Sequence, residues 1–144
     1  MIKLPAEFTL WKIAAVGFGL ITGVAIIALM NQINFMFYPQ PDSFNGNNEY
    51  FYLSLAEDPL FLTGKIISIC TGSFFTGAIS SFVNRNIEVR EIFVAGIILL
   101  ATGFIDLGSA PYPFWFWIAS TLIYIPAVLA GFYFTKKIQK LNEE

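Results

Sequence analysis

Long apolar blocks alternate with short polar segments along the chain. The four apolar blocks cover about residues 11–37, 59–83, 91–107 and 114–135. Each block is near the roughly 20 residues with which an α-helix crosses about 30 Å of hydrocarbon. The pattern therefore predicts an all-α fold, a four-transmembrane-helix bundle that makes residues 1–144 a single integral membrane domain.

The polar segments between the blocks predict where the helices begin and end. Residues 38–58 are rich in Asn, Asp, Glu and Pro, which is typical of a water-exposed loop. Asp58 followed by Pro59 is a suitable N-cap and first-turn pair for the second helix. A short charged segment at 84–91 and a turn with Gly and Pro at 108–113 complete the connections.

The four predicted helices form two hairpins that share several features. The first and third helices each end near a tyrosine next to proline, Tyr38 and Tyr112. The second and fourth helices contain Gly77 and Gly131 ahead of a cationic end. Two repeated hairpins related by an axis along the membrane normal would produce this pattern. Shared topology and turn chemistry would produce it as well, so both interpretations stay open.

The composition supports a membrane environment and argues against several kinds of chemistry. Hydrophobic residues make up 56% of the chain, charged residues make up 12%, and the mean hydropathy is +0.67, which is outside the range of ordinary soluble domains. With no histidine and a single cysteine, Cys70, the chain lacks the commonest metal ligand and any intrachain disulfide. A net charge of −2 without a large basic patch makes nucleic acid an unexpected partner. We expect a non-catalytic protein, not an enzyme, with no cofactor and no metal site.

The positions of the cationic residues predict the orientation. Seven of the eight lie near one predicted side of the membrane, namely Lys3, Lys12, Arg85, Arg90, Lys136, Lys137 and Lys140. The positive-inside rule then places both termini and the 84–91 segment in the cytoplasm. The expected location is the bacterial inner (plasma) membrane, in which the protein is multi-pass and has membrane lipids as partners.

Small residues follow one face of the second helix at a spacing of four. They are Gly64, Ser68, Gly72, Thr76 and Ser80. Such a face lets two helix backbones approach closely where lipid removes the hydrophobic drive for association. We expect this ridge to pack against another helix of the same chain, and the alternatives are a second copy or another protein.

Polar side chains are predicted at similar depths near the outer boundary. Lys65 and Asp106 both lie on the order of 9 Å below it, so they can pair and offset each other's charge. Asn31 and Asn34 reach a similar level from the last turns of the first helix. In the alternative, Lys65 extends to the aqueous edge and Asp106 caps the 108–113 turn.

Another set of residues carries a resemblance. The set consists of Tyr38-Pro39, the Pro-Phe-Trp-Phe-Trp segment at 113–117, Pro126 and Gly131. In these the chain resembles small uncharacterised four-helix bacterial inner-membrane proteins, a group without a functional name. The resemblance implies a carboxylate at position 31 and a histidine at position 35. Asn31 and Phe35 stand there in this chain, so the resemblance lends no support to proton or metal chemistry.

These features predict an integral membrane protein that binds a lipid or a small amphiphile in an outer-leaflet pocket with aromatic walls. The candidate ligand-binding residues are Asn31, Asn34, Lys65, Asp106 and Trp115. The alternative is a subunit of an oligomeric small transporter or channel, because four helices leave little room for a pathway unless copies share it. A homo-oligomer or a larger membrane complex is compatible with either function.

Overall fold

The computed structural model describes residues 6–38 and 48–142, and it is helical throughout apart from short connections. The helices are α1 (Ala6–Met36), α2 (Asn48–Glu57), α3 (Pro59–Val83), α4 (Val89–Leu107) and α5 (Phe114–Leu141). No strand occurs within these two described ranges. The all-α prediction is therefore confirmed.

The predicted loop over residues 38–58 is wrong in its second half, which forms α2. Leu55 and Ala56 are buried there, and α2 packs on α3. Burial of these apolar side chains stabilises a short helix whose many polar residues suggested a loop. Residues 39–47 of the predicted loop lie outside the described part of the chain.

Three of the described helices are long and apolar enough to cross a membrane, which is typical of a multi-pass membrane protein. They comprise Leu10–Met36, Pro59–Val83 and Phe114–Leu141. α4 differs from them because it has only 19 residues and carries Arg90, Glu91 and Asp106. The length and composition of the described helices thus support three spans directly, one fewer than the predicted four.

Local sequence explains where the main helices begin and end. The Asp58 side chain accepts hydrogen bonds from the backbone N–H groups of Leu60 and Phe61, as expected for the predicted N-cap. Glu88 and Glu91 form a reciprocal capping box that starts α4 two residues before the predicted position. α5 continues to Leu141, beyond the predicted end at 135, because the following Lys and Gln residues favour helix.

The four long helices form a ring in the order α1, α3, α5, α4, and α3 makes the most extensive contacts. α3 packs against α1 on one side and α5 on the other, and α4 packs mainly against α5. α1 and α4 make direct side-chain hydrogen bonds near the start of both helices, from Lys12 to Glu88 and Glu91. At the same end, Thr135 and Gln139 of α5 donate to backbone carbonyls of α3. The beginning of α1 and the end of α5 therefore lie at the same end of the bundle.

The small-residue ridge of α3 packs against α1, so the prediction of intrachain packing is confirmed. A Cβ atom on Gly23 of α1 would lie 2.7 Å from the Gly72 carbonyl oxygen, and one on Gly19 would lie 2.6 Å from the Thr76 carbonyl oxygen. Neither distance leaves room for a side chain. The two backbones are therefore in direct contact over several turns.

The contact between α3 and α5 is reciprocal. A Cβ atom on Gly77 would lie 1.9 Å from the Val128 carbonyl oxygen, and one on Gly131 would lie 1.9 Å from the Phe74 carbonyl oxygen. In both contacts the glycine meets the carbonyl three residues before the partner glycine. A two-fold relation between the α1–α3 and α4–α5 hairpins would give this reciprocity, which favours the repeated-hairpin interpretation.

Candidate functional site

Lys65 and Asp106 form an ion pair between α3 and α4. Lys65 is 5% exposed, and its Nζ lies 2.8 Å from Asp106 Oδ2 and 2.7 Å from the Tyr112 hydroxyl. The ammonium also lies 4.7 Å from the centre of the Tyr112 ring, a cation–π distance. Lys65 therefore points across the bundle to Asp106 and not along the helix to the aqueous edge.

The turn after α4 does not need the Asp106 carboxylate. Both the backbone N–H and the hydroxyl of Ser109 donate to the backbone carbonyl of Asp106. The carboxylate side chain remains 53% exposed. Its Oδ2 accepts from Lys65, and its Oδ1 has no hydrogen-bond partner among the described residues.

Asn31 lies in a different setting from Asn34, although both belong to the end of α1. Asn34 Nδ2 donates to the Phe61 carbonyl oxygen at 3.0 Å, where Gly64 leaves room for the amide. Asn34 thus ties α1 to α3. The side-chain oxygen of Asn31 is fully enclosed and has no hydrogen-bond partner among the described residues. An unsatisfied buried acceptor typically costs about 1–3 kcal/mol.

Asn31 and Asp106 line one cavity of about 180 Å³ between α1 and α4. Tyr124 of α5 forms part of its wall, together with Gly103 and Thr102 of α4. A Cβ atom on Gly103 would lie 2.2 Å from the Tyr124 hydroxyl oxygen, so the glycine makes room for this hydroxyl. The cavity is thus polar at the end near Asp106, and the rest of its wall is apolar, formed by Val24, Ile27, Ala28, Ile69 and Leu99.

An apolar groove of about 380 Å³ continues from the cavity along the outside of α1 and α4. Its lining is Leu20, Ile21, Val24, Ala25, Ala28, Ile98, Leu99 and Thr102. From Leu20 to Asn31 the site follows α1 for 11 residues, about 16 Å at the helical rise. This length is about half of the roughly 30 Å hydrocarbon thickness.

A second charged cluster joins α1 and α4 at the other end of their interface, near the beginning of both helices. Lys12 is 7% exposed, and its Nζ lies 2.9 Å from Glu88 Oε1 and 3.2 Å from Glu91 Oε1. In the sequence, Lys12 was recognisable only as one of the cations that predict the cytoplasmic side. Its pairing depends on the capping box of α4, which holds both carboxylates at the first turn.

Trp115 does not line the cavity. Its ring centre lies 6.0 Å from that of Phe116, and 45% of the residue is exposed at the beginning of α5.

The pKa of the Tyr38 hydroxyl, at the same end of the bundle, is raised above its usual value. The larger cause is burial, and the smaller is the nearby Asp58 carboxylate. Tyr38 therefore keeps its proton at neutral pH and remains a hydrogen-bond donor.

Of the five predicted site residues, Asn31 and Asp106 line the cavity. Lys65 is not part of the cavity wall but forms the ion pair with Asp106. Asn34 and Trp115 lie elsewhere. Gly103 and Thr102 were not predicted from the sequence to belong to the site. The available signal for Gly103 was a glycine three residues before Asp106, the acidic residue in the last turn of an otherwise apolar stretch of helix.

The described residues define a helical protein with three helices apolar enough to cross a membrane and an amphipathic cavity between α1 and α4. No protein-family model, curated protein or solved structure matches the chain. Its function is therefore inferred from the geometry of the site.

Proposed function

We propose that this chain is a non-catalytic integral membrane protein that binds a lipid or a small amphiphile between α1 and α4. In this proposal α4 is the fourth transmembrane helix, and the protein lies in a bacterial inner membrane with both termini in the cytoplasm. The ligand then occupies the outer leaflet, with its polar head near Asn31 and Asp106.

The distribution of charge along α4 supports a fourth span. Its 19 residues extend about 28 Å, close to the thickness of the hydrocarbon core. Arg90 and Glu91 lie in its first turn and Asp106 in its last, so residues 92–105 carry no charge. Charged residues near the ends of a span can reach the interface or an internal partner.

The positive-inside rule supports the orientation. The end of the bundle at which α1 begins and α5 ends carries Lys12, Arg85 and Lys136. At the opposite end, the described residues include the acidic residues Glu57, Asp58 and Asp106. Apart from Lys65, they include no lysine or arginine. Cationic ends remain in the cytoplasm during insertion.

The unpartnered side-chain oxygen of Asn31 is the observation that carries the proposal. A bundle without a ligand would be expected to have an apolar residue at this position, because replacing an unsatisfied buried polar group by an apolar one is neutral or stabilising. Asn31 lines a cavity that continues into an apolar groove about one leaflet long. A ligand with a polar head and an apolar chain would satisfy both parts.

Lipid analysis of the purified protein tests this proposal. Mass spectrometry should detect a lipid or amphiphile retained in near-stoichiometric amount after detergent purification. Ala28→Trp places a large ring in the groove and should remove this molecule, whereas Ala101→Trp on the exposed side of α4 should retain it. Equal retention by the two variants, or no retained molecule in the wild type, would contradict the proposal.

The charged clusters at the two ends of the α1–α4 interface favour a second candidate, a subunit of an oligomeric small transporter or channel. Separation of α1 from α4 would expose Lys12 with its glutamates at one end, and Asn31 with Asp106 at the other. Polar groups along such a path would serve a translocated solute. The mass of the protein in detergent distinguishes the two candidates, because a ligand-free obligate oligomer would favour transport and a lipid-loaded monomer would favour binding.

A further inference from the structure

We propose that the head of the bound ligand is an uncharged alcohol, as in a glycerol ester with a single acyl chain. This inference rests on the proposed function, because it specifies which amphiphile the α1–α4 cavity accepts. Four properties of the cavity support it: its free hydrogen-bonding groups, its charge balance, its volume and the length of its groove.

The free groups of the cavity include both acceptors and donors, because the Asn31 amide nitrogen and the Tyr124 hydroxyl belong to residues of its wall. Asn31 Oδ1 has no partner among the described residues, and Asp106 uses one of its two carboxylate oxygens for Lys65. Thr102 donates its hydroxyl proton to the backbone carbonyl of Ile98. The ligand must therefore both donate and accept hydrogen bonds, and an alcohol hydroxyl does both.

The charge balance argues against an ionic head. The Lys65 ammonium neutralises the Asp106 carboxylate at 2.8 Å, so a cationic head would approach a pair that already carries its own cation. An anionic head would meet the exposed carboxylate first. Lys65 is too deeply buried to reach it, since two of its three protons are already donated, to Asp106 and to Tyr112. A neutral head avoids both conflicts.

The dimensions match a small head with one chain. The cavity of about 180 Å³ is close in size to a cavity of about 150 Å³ that holds benzene, a molecule of six non-hydrogen atoms, and glycerol also contains six. The groove of about 380 Å³ shares part of its lining with the cavity and extends the available space along α1. A single chain in this groove would reach the middle of the bilayer.

Three probes with the same chain and different heads test the inference: monoolein, oleylamine and oleate. Their binding to delipidated protein in detergent is measured by native mass spectrometry or by the shift in Tm, at pH 8. Monoolein should bind most tightly. Asn31→Leu should weaken monoolein binding by roughly three- to tenfold, the effect expected for the loss of one hydrogen bond.

Gln32→Leu is the matched control, because Gln32 is the next residue of α1 and is exposed. It should leave monoolein binding unchanged. Asn31→Leu itself should fold normally, since it removes an unsatisfied acceptor, and Asn31→Ala provides the same comparison in a smaller side chain. Equal monoolein affinity in the wild type and both Asn31 variants would overturn the inference.

The outcomes separate this inference from the proposed function. If oleate or oleylamine binds more tightly than monoolein and Ala28→Trp abolishes that binding, the groove binds amphiphiles but the inferred head is wrong. If Ala28→Trp leaves the binding of all three probes unchanged, the groove does not hold the chain, and the proposed function fails together with the inference.

Discussion

Loss of Asp106 should destabilise the protein more than loss of Lys65, although the two residues form one ion pair. Lys65 is 5% exposed, whereas the Asp106 side chain is 53% exposed. Asp106→Leu leaves a buried ammonium with only the Tyr112 hydroxyl as an acceptor, and we expect a loss of about 3 kcal/mol in the free energy of unfolding. Lys65→Met leaves a carboxylate that retains access to water or headgroups, and we expect a loss of about 1 kcal/mol.

The double variant Lys65→Met with Asp106→Leu tests whether the charges are coupled. Both replacements are apolar, so the double variant should recover much of the stability lost in Asp106→Leu. Unfolding by SDS in mixed micelles, with delipidated protein, gives the four free energies of the cycle. Additive single effects would show that the pair is not coupled, and a larger effect of Lys65→Met would refute the argument from unequal burial.

Lipid retention by the same double variant separates a structural pair from a ligand site. If the double variant is stable but loses the retained molecule, the Asp106 carboxylate contributes to binding. If retention equals that of the wild type, Lys65 and Asp106 stabilise the bundle without contacting the ligand. Stability measured alone would not distinguish these roles.

Three further predictions concern the bundle as a whole. Gly72→Leu should lower the free energy of unfolding by about 1–3 kcal/mol, because a Cβ there would lie 2.6 Å from the Gly23 carbonyl oxygen. Cys70→Leu, on the exposed side of α3, should have little effect on this free energy. Equal effects of the two substitutions would contradict the packing of the ridge. Lys12→Met should cost about 1–2 kcal/mol because it removes the ammonium that pairs with Glu91, whose side chain is only 19% exposed. Lys137→Met at an exposed position should change stability by less than about 0.5 kcal/mol. Similar losses for the two variants in thermal denaturation would argue against the Lys12 cluster. In a Cys70→Ser background, an impermeant thiol reagent applied to intact cells should label Ser109→Cys and not Asn86→Cys, and the reverse pattern would invert the proposed orientation.

The sequence predicted the long helices well because their signals are local or periodic. Length and apolarity identified α1, α3 and α5, and the Asp58-Pro59 pair correctly marked the beginning of α3. α2 was missed because its stability depends on the burial of Leu55 and Ala56 against another helix, which no local pattern reports. Depth alone suggested that Lys65 could meet Asp106, but the hydrogen bond from Lys65 to the Tyr112 hydroxyl depends on a turn whose shape was not predictable.

The cavity could not be predicted because it results from unequal packing within the bundle, in which α4 packs less closely on α1 than α3 does. Gly19 and Gly23 bring α1 into backbone contact with α3, while α4 packs mainly on α5. α1 and α4 are joined by the Lys12 cluster at one end, and near the other end a gap separates Asn31 from Asp106. The same asparagine on a helix that packed closely against α4 would have found a partner. Its unsatisfied oxygen is thus a property of the helix arrangement, which is why a ligand, and not another side chain of this bundle, is the partner we assign to it.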